Sequence, residues 1–548
     1  MVVPTERRST PQPDRSRPHG GRRPSAAARP AETRASGVPF ASILWPGAPP
    51  AEPTATRDSQ GVVVDVHLDD VVAVLVSGRA QYELEPFFRA RVDDLATIEY
   101  RHDVFRDLED PGILGLVRAF AEGMGGVRER LAQAGKSHYR YERERWVLDA
   151  AGAFCQAARE MRAALAATNP RSAGLRGLRG YLDGYVGSPG FAGLASDVER
   201  LLADLDGVRY RLRFVADRVA VGRFEPEPDY GAEILAAFEK FRQGKEKRHE
   251  FELSTWPQMD HVEAAVLDRV ALLYPEVFAS LDDFVVCHRE FLDPVLGRFD
   301  REVQFYLAYA ELMARLSQRG LRFAYPTVTA ERGRVEARDA FDLALATKPA
   351  SGDQPIIVND LELGEAERMV VVSGPNQGGK TTFARMSGQL HHLAALGVPV
   401  PGTRARLPLV DAIFTHFERQ ERVEDLSGKL ENDLCRIRDI LEEATHRSLV
   451  VMNESFSSTT LHDQLLINTD VVRAILDRGC LCVAVTFLDE LSTLDPSIVS
   501  MVSTVDPDEP ARRTFRIVRR AADGLAYAMA IAEKHGLTYE RMRRRLRP

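Results

Sequence analysis

Nine consecutive residues, Gly374, Pro375, Asn376, Gln377, Gly378, Gly379, Lys380, Thr381 and Thr382, combine the groups needed to hold a polyphosphate. They fit the P-loop pattern. Its glycines let backbone N–H groups turn inward around phosphate oxygens, Lys380 neutralises the β and γ charge, and the Thr381 hydroxyl can bind Mg²⁺. The run follows the apolar stretch Met369 to Ser373 and precedes a helical pattern, which is the strand–loop–helix order such a loop requires. A Gly-rich structural turn would need neither the lysine nor that order. The spacing therefore predicts the binding of a nucleotide with Mg²⁺.

A second half of such a site belongs at the end of another buried strand, where a carboxylate can orient or deprotonate the attacking water. Leu449-Val-Val-Met452-Asn453-Glu454 fits, with Glu454 as the candidate general base beside Lys380. The other reading of Glu454 is a cap for the following helix. The position before it, where an Asp ordinarily reaches the metal shell, is Asn453. An amide accepts through its oxygen but carries no charge. Thr381 and Asn453 are thus a weak metal pair, and turnover is expected to be slow.

The elements that must position these residues read as an α/β domain from 321 to 548. Strand-like runs (Pro355 to Val358, Met369 to Val372, Leu449 to Met452, Leu481 to Val485) alternate with helices at Thr381 to Leu396, Lys429 to Ala444 and His462 to Arg478. Met501 to Val505 and Thr514 to Val518 read as a closing hairpin, followed by a helix from Leu525 that ends in Arg541, Arg543, Arg544, Arg545 and Arg547. Residues 59–320 carry mainly helical spacing, clearest at Asp260 to Leu273 and at Leu281 to Leu316, the latter read as one helix longer than about 45 Å. Val208 to Val221 partly alternates apolar and basic residues, which predicts a strand or hairpin with Arg209, Arg211 and Arg213 on one face. Contact with a phosphate backbone and a solvated edge both fit that face. Residues 1–58 are rich in Arg, Pro, Ser, Ala and Gly and read as a disordered tail, in which only Phe40 to Trp45 is apolar enough to dock.

Composition narrows the function classes. The chain has 548 residues, 44% of them apolar and 28% charged, enough to bury cores in several units. No apolar run approaches the roughly 18 residues a bilayer span requires, and no signal-peptide core stands at the start. A net charge of −8 excludes a histone-like surface. The five cysteines, Cys155, Cys287, Cys435, Cys480 and Cys482, are scattered and odd in number, which indicates a reducing, cytoplasmic compartment. Cys480 and Cys482 read as core, and no His or Cys spacing suits a structural metal.

GPNQGGKTT resembles the GPNxGGKST loop of the MutS-type DNA mismatch-repair ATPases, and the likeness extends along the chain. Ile357-Val-Asn-Asp-Leu361 is similar to the VPND stretch of that family and Leu396-Gly-Val-Pro-Val-Pro401 to its G-x-x-V-P segment. Asp411-Ala-Ile-Phe-Thr415 resembles D-x-I-F-T-R, and Ser448 to Glu454 resembles S-L-V-L-M-D-E. Asp523 to Leu537 is similar to the closing helix, and Asp93 to Leu108 to the PL-x-D-x-x-x-I-x-x-R core pattern. The resemblance, over roughly residues 80 to 548, implies a helical core and lever followed by a P-loop ATPase domain of the ABC/MutS type. It implies a homodimer through that domain, and a clamp whose ATP state opens or closes on mismatched or distorted DNA. On DNA the protein would be nucleoid-associated.

The chain also departs from the family. The signature segment that completes a partner's site reads Glu424-Asp-Leu-Ser-Gly-Lys-Leu-Glu431, with Ser427 as stand-in for the usual serine. G-R-G-T-S-T reads Ser455-Phe-Ser-Ser-Thr-Thr460, and the T-H of the switch strand reads Thr486-Phe487. Fewer than 320 residues precede the ATPase region, so separate mismatch-reading and connector domains are expected to be missing, as is the F-x-E wedge. Two alternatives stay open: an ATPase acting on branched or recombination DNA, and a nucleotide-gated switch that binds a protein partner and no DNA. Kinases and small GTPases lack the helical preface, and Leu426 to Lys429 matches the L-S-G-G-Q of transport ATPases only in part.

Overall fold

A computed structural model describes residues 40–50, 61–215, 218–225, 259–348, 355–418, 428–506, 508, 512–522, 539, 542 and 543. The tail before residue 40, Ser427 with the signature residues before it, and the closing helix with most of its terminal arginines lie outside the described residues.

The helices run α1 (Val62–Asp65), α2 (Leu68–Val76), α3 (Glu85–Arg89), α4 (Leu95–Leu108), α5 (Pro111–Lys136), α6 (Arg140–Ala166), α7 (Ala173–Val186) and α8 (Pro189–Asp206). Their starts follow local chemistry. Asp94, Asp110, Ser172 and Ser188 each accept from a first-turn N–H that has no partner within the helix. α5 and α6 pack along each other, and their apolar faces (Val117, Phe120, Met124; Leu148, Phe154, Met161) are buried.

After α8 the chain forms the antiparallel hairpin β1 (Tyr210–Val215) and β2 (Arg218–Arg223), with Phe214 opposite Val219 and 74% exposed. Arg211 and Arg213 alternate with Tyr210, Leu212 and Phe214 along β1. Arg209 departs from the expected row. It precedes the strand and donates back to Asp206 O at the end of α8.

Next come α9 (His261–Leu273), started by an Asp260/Glu263 capping box, then α10 (Pro275–Cys287) and α11 (Pro294–Ser317). The single helix expected over 281–316 is therefore two. Pro294 has no N–H to continue a helix, and Asp293 accepts from Val295 N and Leu296 N to start a new one.

The remaining elements are β3 (Phe323–Ala324), β4 (Thr327–Thr329), β5 (Val335–Ala340), α12 (Leu343–Thr347), β6 (Asn359–Leu363), β7 (Met369–Ser373), α13 (Lys380–Leu396), β8 (Val400–Pro401), β9 (Arg404–Pro408) and β10 (Ile413–Phe417). α14 (Lys429–Glu443), β11 (Leu449–Asn453), α15 (Leu461–Arg478), β12 (Leu481–Val485), β13 (Ile498–Val505) and β14 (Arg513–Arg519) complete the chain. The strand expected at 355–358 falls instead at β6, where Leu361 and Leu363 point into the core and pair antiparallel to β5. The main sheet runs β10–β11–β12–β7–β13–β14. Its first five strands are parallel, and β14 returns antiparallel beside β13. β7, β10, β11 and β12 are buried throughout, as strands covered on both faces must be. The chain thus mixes helix and sheet. Among the described residues no helix is long and apolar enough to cross a membrane.

One buried cluster runs from Ile43 through the helices into β7, β11, β12 and β14, so helical and sheet regions share a core. The hexamer Phe40 to Trp45 is docked in it. Glu302 on α11 accepts from Ser42 Oγ (2.7 Å) and Ile43 N (2.9 Å). Tyr306 and Tyr100 donate to the carbonyls of Ile43 (2.7 Å) and Ser42 (2.8 Å), leaving Ile43 and Leu44 fully buried.

Burial pushes His391 on α13 down to about 4, with its Nδ1 against Ser387 O at 2.9 Å. Its folded value lies below the unfolded 6.5, so the unfolded chain takes up a proton the folded chain refuses, and stability falls as the pH drops from about 6.5 to 4. Burial acts oppositely on the carboxyls of Glu144, raised to about 7, and Asp300, raised to about 6, which masks the effect in the whole protein. A His391→Gln variant isolates it. Relative to the variant, the wild type should lose on the order of 3 kcal/mol between pH 6.5 and 4. Denaturant unfolding at the two pH values measures this, and an unchanged difference would rule out a neutral buried His391.

Candidate functional site

β7, β11 and β12 all end on the same edge of the sheet, the carboxyl edge where open α/β sheets form ligand crevices. Backbone bonds tie the loops beyond them together: Glu454 N donates to Val485 O (2.9 Å) and Thr486 N to Val372 O (3.1 Å). Gly374 to Thr382, Asn453–Glu454 and Thr486–Phe487 therefore occupy one place although the first and last lie more than a hundred residues apart. The remaining members of the nine-residue run, Pro375, Asn376, Gln377 and Gly378, form the turn between β7 and α13.

The loop's backbone needs its glycines. Gly374 and Gly379 have φ of +114° and +91°, and a Cβ on Gly378 would meet Ser503 Oγ and lie 2.9 Å from Pro375 O. Ser503 on β13 is itself fully buried and donates to Gly378 O (2.7 Å), while Arg513 Nε on β14 donates to Asn376 O (3.2 Å). The closing hairpin thus braces the loop from outside. Sequence reasoning missed both residues, since nothing local to 503 or 513 marks a contact with residues 376 and 378.

Lys380 begins α13 and is 4% exposed. Its Nζ donates to Gly374 O (3.0 Å) and Pro375 O (3.2 Å) and lies 4.2 Å from the centre of the Phe487 ring. Burial lowers its pKa, the charge of Glu454 acts to raise it, and Arg513 acts to lower it. Glu454 is therefore electrostatically coupled to the P-loop lysine. It sits at φ +50°, an uncommon conformation for a residue with a side chain. The next residue holds it there: Ser455 Oγ lies 2.8 Å from His416 Nδ1 on β10, and Ser455 O accepts from Gln464 (3.1 Å) and Asn468 (3.5 Å) on α15. No short signal in the sequence marked His416 as part of this support.

A Mg²⁺ ion would need oxygen ligands here. Asn453 is 9% exposed, and its Oδ1 has no hydrogen-bond partner among the described residues, a neutral acceptor left over at the strand end. Thr381 stands one residue past Lys380 in the first turn of α13. An amide and a hydroxyl suit a hard cation by donor type but bring no negative charge. Cys480 and Cys482 are buried core residues, with Cys480 Sγ against Thr445 O at 3.2 Å.

Residues 370–541 match the family profile described as MutS domain V. The chain is similar to the DNA mismatch repair protein MutS of Thermus thermophilus, at 29% identity over 296 residues that cover 52% of this chain and 34% of the relative. It is similar to the protein of that name from Thermotoga petrophila, at 24% identity over 290 residues covering 51% and 35%. The one from Aquifex pyrophilus is 30% identical over 192 residues, 34% of this chain and 22% of that protein. The chain spans about a third of the length of the first two of these relatives.

Proposed function

We propose that this chain, a member of the MutS family, is an ATP-driven switch that acts on DNA, binding and slowly hydrolysing ATP at the loop Gly374 to Thr382. The observation that carries the reading is that the P-loop lysine Lys380 and Glu454 stand at the same carboxyl edge of the sheet, where Glu454 N donates to Val485 O and Thr486 N to Val372 O. In this reading the loop's N–H groups and Lys380 hold the phosphates, and Glu454 orients the attacking water. Thr381 and Asn453 would hold the Mg²⁺ that accompanies ATP, which would screen the phosphate charge. Asn453 brings no charge to that ion, which favours slow turnover.

The DNA part of the proposal rests on the names of the relatives and on the arginine-bearing hairpin β1–β2. The substrate would be a mismatched or distorted duplex gripped by its backbone, with branched DNA as the nearest alternative. The working form would be a homodimer through the ATPase domain, in the cytoplasm. A second reading, a nucleotide-gated switch that binds a protein and no DNA, is favoured by Phe487, which cannot hydrogen-bond a γ-phosphate.

ATP turnover of the full chain, with and without homoduplex, mismatched and branched DNA, tests the proposal. Mismatched duplex should stimulate turnover at least about threefold, and duplex binding should weaken as salt rises. ATP binding with no salt-dependent duplex binding would overturn the DNA reading in favour of the protein switch.

A further inference from the structure

The Lys380 ammonium has three N–H donors. Two go to the carbonyls of Gly374 and Pro375, at 3.0 and 3.2 Å, and the face of Phe487 lies 4.2 Å away. A ring face at that distance attracts an ammonium through its quadrupole, and the attraction grows when the cation is withdrawn from water. Lys380 is withdrawn, at 4% exposed, whereas Phe487 is 49% exposed. The two kinds of partner differ in what it takes to lose them. The carbonyls belong to a loop that Ser503 and Arg513 hold in place, so they cannot retreat without undoing it. Among the described residues, the bonds that tie this strand end to the sheet are those around Thr486, with Thr486 N on Val372 O (3.1 Å) and Leu488 N on Thr486 Oγ1 (3.1 Å). Phe487 is half exposed, so rotation of its side chain can carry the ring away from the ammonium.

We propose that Phe487 is a positioning residue, an aromatic latch that holds the Lys380 ammonium against its own loop and that the terminal phosphates of a nucleotide must displace. The inference rests on the nucleotide reading above and adds its regulation. Phosphate and ring compete for the same side of one cation, so the ring sets a threshold that weak or partial ligands do not pass. The attraction being exchanged corresponds to a factor of about 2 to 30 in a binding constant. Phosphate binding would also free the ring, giving this strand end two positions according to whether the ammonium is taken.

Calorimetric titration of the full chain with Mg²⁺ and ATP, pyrophosphate or adenosine tests the latch in the wild type, Phe487→Leu and Phe487→Trp. Leucine keeps apolar bulk and removes the ring face, whereas tryptophan strengthens the face. Phe487→Leu should bind ATP and pyrophosphate at least about twofold more tightly, with adenosine unchanged, and Phe487→Trp should bind both phosphates no more tightly than the wild type. A merely structural role would move all three ligands together or none. Equal or weaker ATP binding by Phe487→Leu, with a normal melting midpoint, overturns the latch and leaves the nucleotide reading standing. Absence of ATP binding in the wild type itself overturns both.

Discussion

Replacing Lys380 with alanine should lower kcat/KM for ATP by at least about 100-fold, the largest functional effect expected from a single substitution in this chain. The lysine is the full positive charge buried within the loop, with its ammonium against the carbonyls of Gly374 and Pro375. A preorganised charge facing developing phosphate charge in a water-poor site contributes roughly 3 kcal/mol or more, equivalent to a factor of about 100. Its removal also leaves two carbonyls without their donor, so part of the loss should appear as weaker binding. Lys380→Arg should not restore activity, because a planar fork cannot fit between two carbonyls and a ring that surround a compact ammonium. Steady-state turnover of the three proteins decides the matter, and more than a tenth of wild-type kcat/KM in the alanine variant would remove Lys380 from the site.

The largest stability effect should come from Arg101→Ala. Arg101 on α4 is 2% exposed. Its Nε donates to Leu44 O (3.0 Å), its Nη1 donates to Leu396 O (2.8 Å), and its guanidinium stacks 5.2 Å from the Trp45 ring and 5.4 Å from Phe305. The charge is held by the C-terminal carbonyl end of α13, where the helix dipole is negative, and by two aromatic faces, and burial still lowers its pKa. Truncation would orphan both carbonyls and open a cavity where the Phe40–Trp45 strap, α4, α11 and the P-loop helix meet. A loss of about 3–5 kcal/mol follows, on the order of 10 °C in the unfolding midpoint. Arg101→Lys should recover little, since a single ammonium nitrogen cannot stand where two separate guanidinium nitrogens, Nε and Nη1, reach Leu44 O and Leu396 O. A midpoint within a degree or two of wild type would show that the strap is not fastened through Arg101.

The sequence alone determined the parts that short-range chemistry writes. Gly374 to Thr382 announces a phosphate loop because its glycines, lysine and threonine act within a few residues of one another. The apolar runs at Met369, Leu449 and Leu481 announce buried parallel strands because a strand covered on both faces has no polar side to show. Even Phe40 to Trp45 was legible as the apolar exception in a polar tail. The break at Pro294 is also written locally, in Asp293-Pro294, although the regular recurrence of apolar residues through 281–316 masks it.

Only the tertiary structure decided which distant residues serve the loop. Ser503 on Gly378, Arg513 on Asn376 and Phe487 over Lys380 all follow from the strand order β12–β7–β13–β14, which periodicity within a segment does not encode. The same holds for His416 on Ser455 and for Arg101 spanning the strap and α13. Sequence spacing sets what a segment can bury, whereas sheet order sets what its polar ends will meet. At this site the second kind of information decides how Lys380 and Glu454 are held.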